Sequence, residues 1–276
     1  MPKLSIGMPL YNGGRFIETA INSLINQTFI YFELIISDNC SNDDTEEICL
    51  KLKEKDKRIK YFRQEINKGA TSNFNFVLEK STGNYFMWAA YDDFWQPNFI
   101  SECINVLDNN EDCVSVFTHF VIYDINTLQD IEWVTPSSLS SELPSVRIRK
   151  SFENLVPNMI YGIHRREIFV KNKYIVNQDW NDILIIAHQV LFGKYFIIPQ
   201  YLHKTGINGK KRKPYSLNGK YLNLRYFRRE AFKLLINSSS GSVLTSLFDF
   251  VRLFFRSKFA ERKINHSIKN WSKLNK

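Results

Sequence analysis

The sequence predicts an α/β fold, a mostly parallel sheet flanked by helices. Short apolar runs typical of buried strands alternate with segments whose apolar residues recur at helical spacing. The order through residue 90 is β-α-β-α-β-α-β, which favours parallel strands joined by crossover helices. Three of these strands are followed directly by polar side chains, and the carboxyl ends of parallel strands meet at one sheet edge. The sequence therefore predicts a ligand site at that edge.

The elements of the first half follow from periodicity and turn residues. Strands are expected at 3–9, 32–37, 59–62 and 85–90. Helices are expected between them, at 16–25, 45–55 and 70–80. Asp43 or Asp44 is expected to cap the second helix, and Glu46 and Glu47 lie in its first turn, where the helix dipole favours negative charge.

The second half is predicted with fewer regular elements. A helix is expected at 99–107 and a strand at 114–123, followed by irregular chain from 124 to 157. Within it, the segment 135–144 is loop-like and is interpreted either as a lid or as a plain surface loop. A strand-like element at 158–163, a helix at 182–192 and a last strand at 196–198 complete this half.

Adjacent carboxylates follow the apolar strand at 85–90. Asp92 and Asp93 repel each other unless a cation or hydrogen-bond donors satisfy them, so a divalent ion is a sensible partner. The alternative is a solvated turn that caps the next helix. Asp38 ends the second strand, and Tyr11 and Asn12 follow the first. Because these groups share the predicted edge, we favour a ligand site over an ordinary turn.

Several site classes are absent from the sequence. No GxGxxG or GxxxxGK[ST] motif follows the first strand, so bound phosphates would be neutralised by a metal rather than by a glycine-rich loop. The four cysteines form no CxxC pair, and no export signal or run of 18 apolar residues occurs. We expect reduced thiols, a cytoplasmic location and no transmembrane helix.

Four stretches, in their order and spacing, resemble the family-2 glycosyltransferases of the GT-A fold: MPLYNGGRFIETAINSLINQTF, ELIISDNCSNDDT, NKGATSNFN and GNYFMWAAYDDFWQP. The resemblance covers about the first 120 residues well and extends more weakly through NMIYGIHRRE and QDW to Asn208. It implies an inverting, metal-dependent glycosyltransferase that uses a nucleotide-diphosphate sugar.

The resemblance also implies roles for residues around the donor. The first loop would bind the nucleotide, with an aromatic ring on the base, and Asp38 would accept a hydrogen bond from a uracil-type ring N–H. Asp93 would ligate Mg²⁺ or Mn²⁺ directly and Asp92 would touch both the sugar nucleotide and the metal, whereas Tyr91 stands where the family often has Asp. The remaining donor-binding residues are Pro9, Tyr11, Asn12, Lys68, Gly69 and Asn73.

The catalytic base is assigned by the same resemblance. Inverting members carry a carboxylate at the start of a late helix, often in the pair Glu-Asp, and here the match is Gln178 and Asp179. Asp179 is the candidate base and Asp182 the alternative, although Asp179 also suits a helix N-cap. His203 falls where some GT-A enzymes place a metal-contacting histidine, but a single histidine is more often a packing residue.

The implied activity is inverting transfer of a sugar, with a UDP-sugar favoured, to a hydroxyl of a saccharide or lipid-linked acceptor in surface polysaccharide biosynthesis. Two alternatives stay open. The first is a nucleotidyltransferase, although the first loop supplies a single arginine, Arg15, for phosphate. The second is an inactive, membrane-associated protein that binds sugar nucleotides, because Tyr91 and Gln178 depart from the family pattern.

Charge is unevenly distributed along the chain. The net charge is +9, and residues 201–276 alone contain 18 basic and 3 acidic side chains. The division expected is a catalytic domain at 1–208, with a donor half at 1–123 and an acceptor half at 124–208, and a basic helical tail at 209–276. An amphipathic helix in the tail suits an anionic membrane surface on the cytoplasmic side; packing on the domain or a partner helix is the alternative. No motif supports nucleic-acid binding. The apolar face of that helix consists of Leu244, Leu247, Phe248, Val251, Phe254 and Phe255.

Overall fold

The computed structural model describes residues 1–153, 156–171 and 181–208. The predicted basic tail and the candidate base Asp179 lie outside the described residues. No helix among those described has both the length and the apolar character needed to cross a bilayer.

One mixed sheet organises the described chain. Its strands pair in the order β3-β2-β1-β4-β8-β6-β9-β5, and β7 pairs with β6 beside β8. Strands β1 to β4 are mutually parallel where they pair, β8 is antiparallel to both its neighbours, and β6 and β9 are parallel. The strands are β1 (Leu4–Leu10), β2 (Phe32–Asp38), β3 (Ile59–Arg63), β4 (Tyr85–Trp88), β5 (Phe94–Trp95), β6 (Cys113–Asp124), β7 (Asp130–Val134), β8 (Ile163–Arg165) and β9 (Lys194–Ile207).

Helices cover both faces of the sheet, as the alternation of side chains along the strands requires. Leu34 and Ile36 of β2 join one apolar cluster, whereas Ile35 joins a second cluster on the opposite face. Continuous burial of β1 and β2 therefore follows from a sheet packed on two sides. The helices are α1 (Ile17–Ile25), α2 (Thr45–Lys55), α3 (Gly69–Glu79), α4 (Phe99–Asn109), α5 (Pro144–Glu153), α6 (Arg166–Lys171) and α7 (Asn181–Phe192).

The predicted fold class is confirmed, with three local corrections. The strand-like element expected at 158–163 is a 3₁₀ helix, Pro157–Tyr161, followed by β8. Proline suits the first turn of a helix, because its missing N–H has no partner there in any case. The chain between 124 and 157 is more regular than expected, since it contains β7 and α5.

The last strand is much longer than the three residues expected. β9 runs for 14 residues and pairs with β6 along its whole length. Pro199 lies at a register shift between Ile198 and Tyr201, where it has no partner residue on β6. This extension brings the end of β9 to the carboxyl edge of the sheet, beside the turn that follows β4.

Candidate functional site

The loops after β1 and β2 are tied together at the carboxyl edge of the sheet. The Asn12 amide donates to Oγ of Ser41 (2.9 Å), and Oδ1 of Asn12 accepts from the Asn42 amide (3.0 Å). The amides of Gly13 and Gly14 both donate to Oγ1 of Thr45, which begins α2. The two loops therefore form one rigid wall, with Asn12 held at a positive φ of 55°.

Tyr11 and Pro9 differ in their exposure to solvent. Pro9 is buried within β1, whereas the Tyr11 side chain is 43% exposed. An exposed aromatic ring on a fixed loop offers a flat apolar face to a planar ligand. The geometry is consistent with Tyr11 lying against a base, while Pro9 shapes the strand beneath it.

Asn73 joins the ends of β1 and β2. Its side-chain amide donates to the carbonyl oxygens of Leu10 (3.1 Å) and Ser37 (2.8 Å). Asn73 is 4% exposed, and within the described part of the chain its Oδ1 has no hydrogen-bond partner. Both bonds end on backbone atoms, so Asn73 fixes the spacing of the two strand ends from which the loops start.

A second amide network connects the β2 loop to the start of α3. The Asn39 side chain donates to Oδ1 of Asn67 (2.8 Å) and accepts from the Lys68 amide (3.0 Å). Lys68 is exposed, and Gly69 has a φ of +82° with open space around its α-carbon. Lys68 and Gly69 therefore lie at the same edge as Asn12 and Asn73, as the sequence predicts.

Asp38 is fully buried and already engaged by protein donors. Oδ1 accepts from the Ser41 amide (2.8 Å), and Oδ2 accepts from the Tyr61 hydroxyl (2.7 Å) and from Nη1 of Arg63 (2.9 Å). Burial and the Asp38 carboxylate together raise the pKa of Tyr61, which keeps its hydroxyl protonated as a donor. These three donors leave one acceptor site on the carboxylate, so Asp38 shapes the loop and its contact with a base stays a prediction.

The turn after β4 places its two carboxylates in different environments. Asp93 is 2% exposed; its Oδ2 lies 2.9 Å from Nε2 of His203, and its Oδ1 accepts from the Gly206 amide (3.0 Å). Asp92 is half-buried, and its carbonyl oxygen accepts from the Tyr123 hydroxyl (2.9 Å). The geometry therefore favours Asp92 over Asp93 as a direct metal ligand, and the ligand assignment stays a prediction.

Tyr91 stands between this turn and the first loop. A β-carbon on Gly13 would lie 3.6 Å from Cδ2 of Tyr91. Burial, Asp92 and Asp43 each raise the pKa of the Tyr91 phenol, so it is neutral at physiological pH. The position at which the resemblance implies an acid thus holds a neutral, half-buried ring.

The residues present fit a metal ion that binds together with the phosphates of a substrate. No set of three or more His, Cys, Asp and Glu side chains in the described part of the chain is arranged to hold a metal ion. Mg²⁺ commonly binds through one or two carboxylates, with substrate phosphates and water completing the shell. Asp92 can supply that carboxylate, whereas His203 is fully buried against Asp93 and does not face the edge.

Of the two candidate bases, Asp179 and Asp182, the structure describes one. Asp179 lies outside the described residues. Asp182 lies in the first turn of α7 and is half-buried. Neither assignment is tested by the geometry, and both stay predictions.

Sequence reasoning missed the partners that hold these groups in place. Tyr61 and Arg63 are two residues apart on β3, so their side chains lie on the same face. The register pairs Arg63 with Asp38, and both side chains bond to Asp38. Polar residues two apart at the end of an edge strand are the signal that would have identified them. Gly206 had no local signal, because its contact with the β4 turn spans more than 100 residues.

The family models and curated relatives agree with this architecture. A model described as glycosyl transferase family 2 matches residues 5–166. A Rickettsia felis protein named as a glycosyltransferase is 30% identical over 217 residues, which are 73% of this chain and 34% of that protein. A Campylobacter jejuni protein, GalNAc(5)-diNAcBac-PP-undecaprenol beta-1,3-glucosyltransferase, is 39% identical over 94 residues, 34% of this chain and 30% of that protein. The chain thus spans about a third of the length of these relatives.

A solved structure supports the fold. The structure of S. aureus TarS 1–349 in complex with UDP has a TM-score of 0.68, covers 90% of this chain and 70% of that chain, and is 18% identical. At this identity the likeness confirms the predicted GT-A architecture alone: a curled central sheet with flanking helices.

Proposed function

Because the chain belongs to glycosyl transferase family 2, we propose that it transfers a sugar from a UDP-sugar to a hydroxyl of a saccharide or lipid-linked acceptor, with inversion at the anomeric carbon. The observation that carries this proposal is the convergence of three loops at one sheet edge. Those loops present an exposed Tyr11, an exposed Lys68 and the half-buried Asp92. An aromatic face, a cation and a carboxylate are the groups that a base and a metal-bound diphosphate require.

The preference for UDP is supported by chemistry and by likeness. TarS, which shares the fold, has been solved with UDP and with UDP-GlcNAc. A uracil ring can lie on Tyr11, and the amide network of Asn39 and Asn67 lies at the same edge. Thymine presents the same hydrogen-bonding edge as uracil, so a dTDP-sugar is the nearest competitor.

The proposed reaction is a single displacement. The acceptor hydroxyl forms a bond to the anomeric carbon while the bond to the donor phosphate breaks and its electron pair leaves with the diphosphate. Asp179 takes the hydroxyl proton, a role that general bases fill with a gain of roughly 10²–10⁴-fold. Mg²⁺ or Mn²⁺, held by Asp92 when bound, stabilises the negative charge on the leaving group. The fixed turn holds Asp92 at one position relative to Tyr11.

The acceptor and the cellular setting are proposed from the tail and from one relative. The C. jejuni relative bears the name of an enzyme that acts on an undecaprenol-linked saccharide. Residues 201–276 carry a net positive charge that would attract an anionic membrane surface. We therefore place the chain as a peripheral enzyme on the cytoplasmic face of the cell membrane, in surface polysaccharide assembly.

Nucleotide release from sugar nucleotides tests this proposal. The full chain is incubated with UDP-glucose, UDP-GlcNAc, dTDP- and GDP-sugars, with Mn²⁺ or with a chelator, and nucleoside diphosphate is quantified. Mn²⁺-dependent release of UDP that Asp92→Asn reduces is the expected result. Release of a sugar 1-phosphate, which leaves when the α-phosphorus is attacked, would instead indicate nucleotidyl transfer chemistry, and no release from any donor would support the inactive binder.

A further inference from the structure

We propose that His203 is a positioning residue of the donor site: it holds Asp93 inside the sheet and so fixes the turn from which Asp92 reaches the donor diphosphate. The inference rests on the proposed function, because it assigns a role toward that donor. His203 contributes no atom to the ligand in this account. Its effect passes through Asp93 and the backbone of residue 92.

The Asp93 carboxylate is enclosed by donors from β9. Oδ2 lies 2.9 Å from Nε2 of His203, and Oδ1 accepts from the Gly206 amide at 3.0 Å. Asp93 is 2% exposed. A buried carboxylate is tolerated only where hydrogen-bond donors satisfy it. These two bonds therefore allow Asp93 to remain buried.

The His203 ring has little freedom to move. It is fully buried, and its centroid lies 5.4 Å from that of Trp95 and 5.2 Å from that of Phe117. Nδ1 of His203 has no hydrogen-bond partner among the described residues. With a proton on Nε2, the ring donates to the Asp93 carboxylate. The ring therefore acts as a fixed donor within an aromatic cage.

The backbone of the same turn is held from three directions. The Tyr123 hydroxyl donates to the Asp92 carbonyl oxygen at 2.9 Å, and Gly206 packs directly against that oxygen. Trp95 pairs with His203 across β5 and β9. With Asp93 anchored as well, the α-carbon of Asp92 has a defined position. A misplacement of about 1 Å can cost on the order of 100-fold in rate.

This arrangement joins distant parts of the chain. Asp92 and Asp93 belong to the turn that ends the donor half, whereas His203 and Gly206 lie 110 and 113 residues after Asp93. The strand that completes the second half of the sheet thus sets the geometry of a donor-binding carboxylate.

The test compares two buried histidines of one sheet. His203→Ala removes the donor to Asp93, and His203→Gln retains a side-chain N–H. His164→Gln is the matched control, since His164 is equally buried but bonds to Oγ of Ser115 and the Ile160 carbonyl, away from the edge. For each full-length variant we would measure the melting temperature, the donor KM and kcat, and the Mn²⁺ concentration that gives half-maximal activity.

The expected pattern separates positioning from folding. His203→Ala should raise the donor KM and the half-maximal Mn²⁺ concentration by up to about 100-fold, because a displacement of about 1 Å can cost that much, and His203→Gln should recover most of this loss. His164→Gln should lower the melting temperature without moving either constant. A wild type that is active, with His203 variants that change the melting temperature alone, would overturn the positioning role but not the proposed function. A wild type inactive with every donor would overturn both.

Asp93→Asn keeps the experiment decisive if His203→Ala does not fold. The asparagine side chain has the same size and its oxygen still accepts from the Gly206 amide, so the turn keeps one of its two anchoring bonds without the charge. Asp92→Asn should then weaken Mn²⁺ activation more than Asp93→Asn does. The reverse order would show that Asp93 itself ligates the metal and would overturn the inference.

Discussion

Gly206 lies against the carbonyl oxygen of Asp92 so closely that a β-carbon on residue 206 would overlap that oxygen. The same glycine donates its amide to the Asp93 carboxylate. Glycine at this position therefore allows the end of β9 to close on the turn that presents Asp92. The contact links a strand of the second half of the sheet to the donor edge.

We expect Gly206→Ala to damage the donor site more than the fold. The added methyl group must push the Asp92 carbonyl away, and such overpacking typically costs about 1–3 kcal/mol of stability. The donor KM should rise because the Asp92 side chain moves with its backbone. Gly193→Ala is the control, because its β-carbon would overlap the Asp112 carbonyl at the opposite edge. Equal effects of both variants on donor KM would contradict this account.

The Asp38 network yields a second prediction, on nucleotide selectivity. If Asp38 shapes the loop, Asp38→Asn should weaken binding of UDP, dTDP, GDP and CDP by similar factors, since the amide mismatches the donors Tyr61 and Arg63. Calorimetric titration of the four nucleotides measures this. A loss confined to UDP and dTDP would restore the direct contact between Asp38 and a ring N–H.

Asn73 gives a third prediction. Asn73→Ala removes the side-chain donor that the Leu10 and Ser37 carbonyl oxygens share, and each lost hydrogen bond costs about 1 kcal/mol, although the Leu10 oxygen keeps the Asn39 amide. Chemical denaturation should show this loss, and nucleotide affinity should fall with it. Asn110→Ala, which removes an amide bond to the Val106 carbonyl at the end of α4, should leave affinity unchanged. Unchanged affinity in Asn73→Ala would show that the loops hold their positions without it.

Acid should destabilise the fold through its buried histidines. Burial lowers the pKa of His164 from 6.5 to about 4, with only partial compensation from the Ile160 carbonyl. The neutral form is favoured in the folded state, so its contribution is complete above pH 6.5 and is lost as the pH falls through 4. The change is on the order of 3 kcal/mol. His188, whose pKa is also lowered to about 4, adds to it.

Denaturation curves at several pH values test this prediction. His164→Gln should flatten the decline in unfolding free energy between pH 6.5 and 4 relative to wild type, while the contribution of His188 remains. An identical slope in both proteins would mean that His164 does not stay neutral in the fold.

The fold was predictable because each strand and helix has a recognisable apolar pattern within its own stretch of sequence. The apolar run of β2 is continuous, as in a buried strand. Ile17, Ile21 and Leu24 recur at helical spacing. Positions at the sheet edge were predictable too, because every parallel strand ends there. Tyr11, Asp38 and Asp92 lie where this reasoning placed them, and Lys68 lies where the resemblance placed it.

Contacts between distant segments were not predictable. Whether Asp38 or Asp93 faces a ligand depends on donors from Arg63 and His203, which only the folded sheet brings near. The sequence shows a carboxylate at a strand end in both cases, and burial decides its role. β9 was predicted only at 196–198, whereas the strand continues beyond Pro199 through a register shift.

The most direct test of the donor site is calorimetric titration of UDP, dTDP, GDP and CDP, with and without Mn²⁺, into wild type and Asp92→Asn. Our account predicts that UDP binds most tightly, that Mn²⁺ strengthens the binding, and that Asp92→Asn abolishes the Mn²⁺ effect. Tighter binding of another nucleotide would contradict the preference for UDP. No binding of any nucleotide, with or without Mn²⁺, would contradict the sugar-transfer function itself.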